Sequence, residues 1–193
     1  MTGMVTKLAV LASLSLALAA AARGGAPVDV AIATSAGTIV VRLDTAHAPL
    51  TAQNFLHYVD LATYNGTSFY RTVRRASEPQ SKIEVIQGGL NPQTANPMIH
   101  PIPLEPTGKT GLHNVDGAIS MARTADPNSA STEFFICIGD NRFLDGGGPT
   151  GAGYAAFGRV VRGADVVRRI QRSPAKGQSL EPPIRILSMK RLR

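Results

Sequence analysis

The chain of 193 residues has 44% hydrophobic residues, a formal net charge of +7 and a single cysteine, Cys137. One cysteine excludes an internal disulfide, so the fold depends on a hydrophobic core, for which this length suffices. Cys137 lies in an apolar run and is interpreted as a small hydrophobic residue. The basic residues are spread along the chain without interleaved aromatics, so we expect no nucleic-acid partner. The four histidines lack metal-ligand spacing, and we predict neither a metal nor a cofactor.

The N-terminal segment is typical of a secretory signal. Lys7 precedes an apolar run over 8–22 that contains no acid and ends in small residues. The run is short for a transmembrane helix and has the composition of a cleaved leader. We therefore predict a signal peptide over 1–22 and a mature domain over 23–193, exported to the periplasm with no stable membrane insertion after cleavage. A membrane-anchored form is the alternative if cleavage fails.

The remaining chain predicts short strands and two helices. Alternating and β-branched residues indicate the strands, and apolar residues at helical spacing indicate the helices. The predicted strands cover 28–34, 38–43, 68–73, 82–89, 117–122, 133–138, 155–161 and 183–189, the predicted helices cover 48–60 and 163–172, and a proline-rich loop covers 92–106. Short strands without βαβ alternation favour a mainly β fold, a closed antiparallel barrel capped by two helices.

The predicted strand over 133–138 is apolar on both faces. Alternation places Phe134, Ile136 and Ile138 on one face. If that face fills the core, Phe135 lies on the outer surface and needs a cover, either another element or a ligand. A strand buried on both sides is the simpler interpretation. The neighbouring segments favour a covered groove instead.

Six short blocks form the most specific pattern in the chain. They are FYR at 69–71, IQGG at 86–89, SMA at 120–122, EFFI at 133–136, FLD at 143–145 and YAAFG at 154–158. Their order resembles that of the cyclophilins, the peptidyl-prolyl cis-trans isomerases, over residues 28–193. The resemblance implies an eight-stranded antiparallel barrel with two capping helices. It also implies an outer groove that binds proline-containing segments of unfolded or nascent exported proteins, in a monomer.

The resemblance also implies the residues of the site. Arg71 matches the catalytic arginine, and Gln87 matches the glutamine that helps to position it. The substrate-binding residues implied are Phe69, Val85, Met121, Ala122, Glu133, Phe135, Phe143, Leu144 and Tyr154. The implied mechanism is stabilisation of a twisted X-Pro amide by Arg71 in an apolar groove.

The chain departs from the family pattern at two places. An insertion over 74–82 follows Arg71, and Glu84 stands where the better-known members have an aromatic pocket residue. The alternative function is therefore a proline-peptide binding module or holdase with little or no catalysis. A weaker alternative is a basic domain that binds anionic polymers. We also hypothesise that Arg123 and Glu133 face each other across adjacent strands and favour charged or polar residues before the proline.

Overall fold

The computed structural model describes residues 25–90, 98–147 and 151–192. These residues form nine strands and three α-helices. The strands are β1 Val28–Thr34, β2 Gly37–Leu43, β3 Ser68–Val73, β4 Val85–Gly89, β5 Ala118–Met121, β6 Phe134–Cys137, β7 Ala156–Arg162, β8 Ala175–Lys176 and β9 Ser179–Arg191. The helices are α1 Pro49–Asp60, α2 Thr107–Thr110 and α3 Ala164–Gln171, and a 3-10 turn covers Arg142–Leu144. The predicted signal peptide over 1–22 lies outside the described residues. None of the described helices is long and apolar enough to cross a membrane.

Eight of the strands close into an antiparallel barrel, as the sequence predicts. Neighbouring strands follow the order β1, β2, β7, β5, β6, β4, β3 and β9. Strand β9 pairs back onto β1, where Ile32 lies opposite Met189, and this pairing closes the barrel. The two-residue β8 pairs only with the start of β9, so it extends the sheet without entering the closed ring.

The barrel interior is filled by aromatic rings that meet edge to face. The Phe134 ring on β6 packs at near right angles against the rings of Phe55, Tyr64 and Phe69, with centroids 5.4–5.7 Å apart. All four side chains are fully buried. Such pairs add to the hydrophobic stabilisation of the rings because the positive ring edge faces the negative ring face. Phe134 therefore joins three segments of the fold at one point.

Helix α1 caps one end of the barrel and is stabilised at its start by a distant carboxylate. Pro49 occupies the first turn, where a missing N–H costs nothing. The Glu105 carboxylate accepts hydrogen bonds from the backbone N–H groups of Leu50 and Thr51, at 3.1 and 2.7 Å. A negative charge at this position also offsets the positive end of the helix dipole.

Strand β6 separates two hydrophobic clusters, as alternation predicts. Phe134 and Ile136 belong to the barrel core, whereas Phe135 and Cys137 belong to a second cluster on the outer wall. The outer cluster also contains buried side chains from β3, β4, β5 and the 3-10 turn. Cys137 is fully buried, and burial raises the pKa of its thiol, in agreement with its interpretation as a small hydrophobic residue.

Two predicted strand starts are wrong by three residues or more. Strand β4 begins at Val85 instead of residue 82, because the backbone of Glu84 is bonded to the side chain of buried Asn141. Strand β9 begins at Ser179 instead of residue 183, because its first residues pair with β8, which the sequence did not predict. Ile102, in the loop predicted over 92–106, forms an isolated β-bridge with Ala130, which lies in the segment between β5 and β6.

Truncating the central ring of the core tests the packing. We expect Phe134→Ala to lower the free energy of unfolding by about 3–5 kcal/mol, because it removes buried apolar surface and leaves a cavity. Leu50→Ala, at a side chain that is 53% exposed, is the matched control and should change stability by less than about 0.5 kcal/mol. Urea unfolding measures both values. Equal losses for the two variants would contradict the account of the core.

Candidate active site

A cleft of about 190 Å³ lies on the outer wall of the barrel, above the second hydrophobic cluster. Its lining residues are Arg71, Ile83, Val85, Gln87, Ala122, Arg123, Phe135, Leu144 and Tyr154. They come from β3, β4 and β6, from the 3-10 turn, and from the segments that flank β4, β5 and β7. A larger cleft of about 540 Å³ lies beside β2 and the loop after α2, and none of the predicted site residues lines it. The predicted catalytic residues Arg71 and Gln87 both line the smaller cleft.

The floor of the cleft is apolar. Phe135 lies opposite Gln87 in the β4–β6 ladder, and its ring meets the Tyr154 ring edge-on at 5.6 Å. The Phe135 side chain is 95% buried, with Val85 and Leu144 in the same cluster. Such a surface suits a compact apolar ring, because Phe135, Val85 and Leu144 offer hydrocarbon while Arg71, Gln87 and Arg123 supply polar groups to the same cleft.

Four predicted groove residues lie outside the cleft lining. Phe69 and Met121 belong to the barrel core, where they are almost completely buried, so the prediction that they line the groove is wrong. Phe143 lies on the 3-10 turn, is 36% exposed and does not line the cleft. Glu133 lies next to the lining and is hydrogen-bonded to Gln87, which does line it.

A β-bulge at Tyr70 explains why Phe69 and Arg71 point to opposite faces. Strict alternation would place both side chains on the same face of β3. The register shifts between them, since Phe69 lies opposite Gly88 and Arg71 lies opposite Gln87. The extra residue therefore turns Arg71 toward the outer wall while Phe69 stays in the core.

The guanidinium of Arg71 is held by two neutral amides. Its Nε donates to Oε1 of Gln178 at 2.7 Å, and its Nη1 donates to Oε1 of Gln87 at 2.7 Å. No ion pair among the described residues includes Arg71. The side chain is thus fixed in direction while its positive charge is left without a directly paired carboxylate. Gln178 was not predicted from the sequence.

The amide of Gln87 is oriented by Tyr70 and Glu133. Its Nε2 donates to the Tyr70 hydroxyl at 2.9 Å and lies 3.4 Å from Oε2 of Glu133. The Tyr70 hydroxyl in turn donates a short hydrogen bond to Oε1 of Glu133. Burial raises the pKa of Tyr70, and its bond to Glu133 raises it further, so the hydroxyl keeps its proton. This arrangement leaves the amide oxygen of Gln87 facing Arg71.

The predicted pair of Arg123 and Glu133 does not form. The backbones are adjacent, because the N–H of Ala122 donates to the carbonyl of Glu133 at 2.9 Å. Arg123 instead donates to the carbonyl of Gly153 at 2.8 Å, and its guanidinium carbon lies 4.6 Å from the centroid of the Tyr154 ring. Backbone carbonyls and an aromatic face therefore satisfy this cation. The hypothesis about charged residues before the proline loses its structural basis.

Ile83 lines the cleft, whereas the neighbouring Glu84 does not. The Glu84 carboxylate turns to Arg75, which donates its backbone N–H to Oε1 at 3.2 Å. Asn141 holds the backbone of Glu84 through bonds of 2.7 and 3.2 Å. Ile83 consequently faces the cleft, on the same side of the chain as Val85. Sequence reasoning missed Ile83, although its two-residue spacing from Val85 was a usable signal.

Comparison with known proteins identifies the family. The model of the family described as "Cyclophilin type peptidyl-prolyl cis-trans isomerase/CLD" matches residues 28–191. The chain therefore belongs to the cyclophilin-type peptidyl-prolyl cis-trans isomerases, and it is an enzyme of that class.

Individual relatives agree in sequence and in fold. The chain is 41% identical over 140 residues to peptidyl-prolyl cis-trans isomerase cyp18 of Streptomyces antibioticus, covering 72% of this chain and 80% of the relative. It is 35% identical over 161 residues to the peptidyl-prolyl cis-trans isomerase of Acinetobacter baylyi, covering 81% of each chain. A cyclophilin-type isomerase of Cryptosporidium parvum shares the fold with a TM-score of 0.71 at 21% identity, over 87% of this chain and 99% of that one.

The buried carboxyl of Glu133 gives a pH test of the hydrogen-bond arrangement. Its pKa is raised chiefly by burial, against the opposing effects of Tyr70, Gln87 and Arg71. The folded protein therefore binds this proton more tightly than the unfolded chain does. The stabilising contribution of Glu133 is present below its unfolded pKa and is lost as pH rises through its folded pKa.

We expect the stability of the wild type relative to Glu133→Gln to fall with rising pH across that interval, because the variant has no proton to lose. Urea unfolding at a series of pH values measures the difference in free energy of unfolding. A difference that increases with pH, or that does not depend on pH, would show that Glu133 is not held in this buried arrangement.

Proposed function

We propose that this enzyme accelerates X-Pro bond rotation in folding exported proteins, and that Arg71 stabilises the twisted amide in the cleft above Phe135. The observation that carries the proposal is the fixed guanidinium at the edge of an apolar floor. Arg71 and Phe135 both line the same small cleft, and Arg71 is bonded to Gln87 at 2.7 Å.

The reaction explains why a charge and an apolar surface are sufficient. Rotation about an X-Pro bond crosses a barrier of about 18–20 kcal/mol, because the amide resonance must be broken. No covalent bond forms or breaks, so the reaction needs no nucleophile and no proton transfer. In the twisted state the proline nitrogen regains its lone pair and becomes a hydrogen-bond acceptor. A donor aimed at that nitrogen binds the twisted state more tightly than the planar one.

Arg71 has the donors that this role requires. A guanidinium carries five N–H groups in a rigid plane and stays protonated at every relevant pH. Its bonds to Gln178 and Gln87 use one hydrogen on Nε and one on Nη1. The remaining N–H groups supply donors for the substrate. Since the guanidinium is already held, little reorganisation accompanies the reaction.

One charged hydrogen bond accounts for only part of the catalysis. Such a bond contributes about 1.5–3 kcal/mol, which corresponds to a rate factor of roughly 10 to 150. The apolar floor supplies a second contribution. Phe135, Val85 and Leu144 would hold the proline ring and exclude water from the amide while the preceding carbonyl swings.

Similarity to a solved structure supports proline-containing peptides as the ligands. A Cryptosporidium parvum cyclophilin-type isomerase solved in the presence of the dipeptide Ala-Pro shares this fold with a TM-score of 0.67 and 22% identity, over 83% of this chain and 96% of that one. The apolar floor and the neighbouring arginine would suit such a peptide here. We assign this ligand class to the present cleft as part of the proposal.

The alternative is a module that binds proline-containing segments without catalysing their isomerisation. The position of Glu84 favours it, because the acidic side chain turns to Arg75 and contributes nothing to the lining of the cleft. A shallower pocket would bind the ring less tightly in the twisted state. The two functions share the groove, so only a rate measurement separates them.

Replacing Arg71 tests the proposed catalyst. We expect Arg71→Ala to lower kcat/KM about 10- to 150-fold in a coupled proline-isomerisation assay on a short peptide series, with the far-ultraviolet circular dichroism unchanged. Arg159→Ala, at an exposed arginine on β7, is the matched control and should retain full activity.

Two outcomes of this assay would overturn the proposed function. Full activity in Arg71→Ala would remove the arginine from the mechanism. A wild-type protein that binds the peptides without accelerating their isomerisation would establish the binding module instead.

We also propose that the protein is exported and matures by cleavage near Ala22. The support is the composition of 1–22, a lysine followed by an apolar run without acids. Expression of the full chain in a Gram-negative host, followed by fractionation and N-terminal sequencing, should place the shortened protein in the periplasm. Leu14→Arg should keep the uncleaved chain in the cytoplasm, whereas Leu14→Val should not. An uncleaved cytoplasmic wild type would contradict export.

A further inference from the structure

Gln178 connects the insertion after β3 to Arg71, although it lies 107 residues from Arg71 in the chain. It occupies the turn between β8 and β9. Its Oε1 accepts from Nε of Arg71 at 2.7 Å, and its Nε2 donates to Oε2 of Glu78 at 2.8 Å. Its backbone is also fixed, because its carbonyl accepts from the N–H of Thr72 at 2.8 Å. Gln178 thus bridges a cation and a carboxylate through one side-chain amide.

The two charged partners allow only one orientation of this amide. The guanidinium of Arg71 has only donors, and an ionised carboxylate such as that of Glu78 has only acceptors. A flipped Gln178 amide would place its NH₂ group against the guanidinium and its oxygen against the carboxylate, and both bonds would be lost. Glu78 therefore selects the orientation in which Gln178 presents its oxygen to Arg71.

Glu78 is itself held by the turns of the insertion. Its backbone N–H donates to the carbonyl of Arg74 at 2.9 Å, and its carbonyl accepts from Ser81 at 2.8 Å. The side chain is partly buried, whereas the neighbouring Pro79 and Gln80 are exposed. The insertion over 74–82 is therefore folded so that one of its carboxylates faces the hairpin that carries Gln178.

The arrangement repeats on the other side of Arg71. There the amide of Gln87 is oriented by Tyr70 and Glu133, and its oxygen accepts from Nη1 of Arg71. Bonds at two different nitrogens fix both the position and the tilt of a planar group. Because each carboxylate acts through a neutral amide, the charge of Arg71 remains available to a substrate.

We propose that Gln178 and Glu78 are positioning residues for Arg71, so that the insertion and the β8–β9 turn belong to the catalytic apparatus. This inference rests on the proposed function of Arg71. It also gives the insertion a role other than pocket lining: its carboxylate sets the direction of the catalytic arginine.

The test is a set of variants in the isomerisation assay, with kcat and KM separated. We expect Gln178→Ala to lower kcat about three- to tenfold and to leave KM nearly unchanged, because the charge stays in the cleft but loses one support. We expect a smaller loss of kcat for Glu78→Gln, in which the Gln178 amide is free to flip. Lys176 is exposed on β8 beside the same turn, and Gln80 is exposed in the same insertion, so Lys176→Ala and Gln80→Ala should behave as the wild type.

A double-variant cycle separates positioning from a general effect on folding. If Glu78 acts through Gln178, the double variant of Gln178→Ala and Glu78→Gln should be no slower than Gln178→Ala alone. In the Arg71→Ala background, Gln178→Ala should cause no further loss. Additive losses in either cycle, or wild-type kcat in both single variants, would overturn the inference.

The failure of this inference is distinguishable from failure of the proposed function. If Arg71→Ala shows the expected loss of activity while both Gln178→Ala and Glu78→Gln are fully active, Arg71 is catalytic and needs no second support. If Arg71→Ala is fully active, the proposed function fails first. A thermal melt of each variant identifies losses of kcat that arise from unfolding. If Gln178→Ala does not fold, Glu78→Gln still tests the inference, because Glu78 lies on a surface insertion.

Discussion

The site depends on the way Arg71 is held between two glutamine oxygens. An arginine paired directly with a carboxylate would be equally rigid, but much of its field would be cancelled by the neighbouring charge. Here Gln87 and Gln178 provide the hydrogen bonds, at 2.7 Å each, and are neutral. The carboxylates of Glu133 and Glu78 lie one step further out, where they orient the amides. The two neutral amides thus fix the direction of the Arg71 side chain, and they leave its positive charge uncancelled.

The barrel makes this arrangement possible because it brings distant segments to one wall. Arg71 lies on β3, which pairs with β4 on one side and β9 on the other. Gln87 comes from β4 and Gln178 from the turn before β9, so each neighbour of β3 contributes one amide. Both ladders shift register between Phe69 and Arg71, and this bulge turns the arginine outward. On the inner side, the Phe69 ring packs against the Phe134 ring and anchors β3 in the core.

Local sequence patterns were sufficient for the scaffold and for much of the cleft. The alternation in β6 correctly placed Phe134 inside and Phe135 outside, because the side-chain period of a strand is fixed by its backbone. The motif match brought Arg71, Gln87 and Phe135 into one cleft, since a family pattern carries three-dimensional information that local periodicity lacks. Their roles in binding and catalysis remain predictions.

The errors arise where a side chain depends on partners far away in sequence. Phe69 was placed in the groove because the bulge at Tyr70 results from pairing among three strands and leaves no local pattern. Arg123 was predicted to pair with Glu133, yet the carbonyl of Gly153 and the Tyr154 ring bind it. Gln178 could not be linked to Arg71 without knowing that the β8–β9 turn folds against β3.

The most direct measurement of the central claim is the cis–trans exchange rate of an X-Pro peptide bound to Arg71→Lys, followed by NMR exchange spectroscopy at saturating protein. Lysine keeps the charge, but it lacks the planar fork that Gln87 and Gln178 hold at two nitrogens. The account predicts that this variant still binds the peptide and that its exchange rate falls well below the wild-type rate. An exchange rate equal to that of the wild type would show that a positive charge is enough and that its fixed direction is not required.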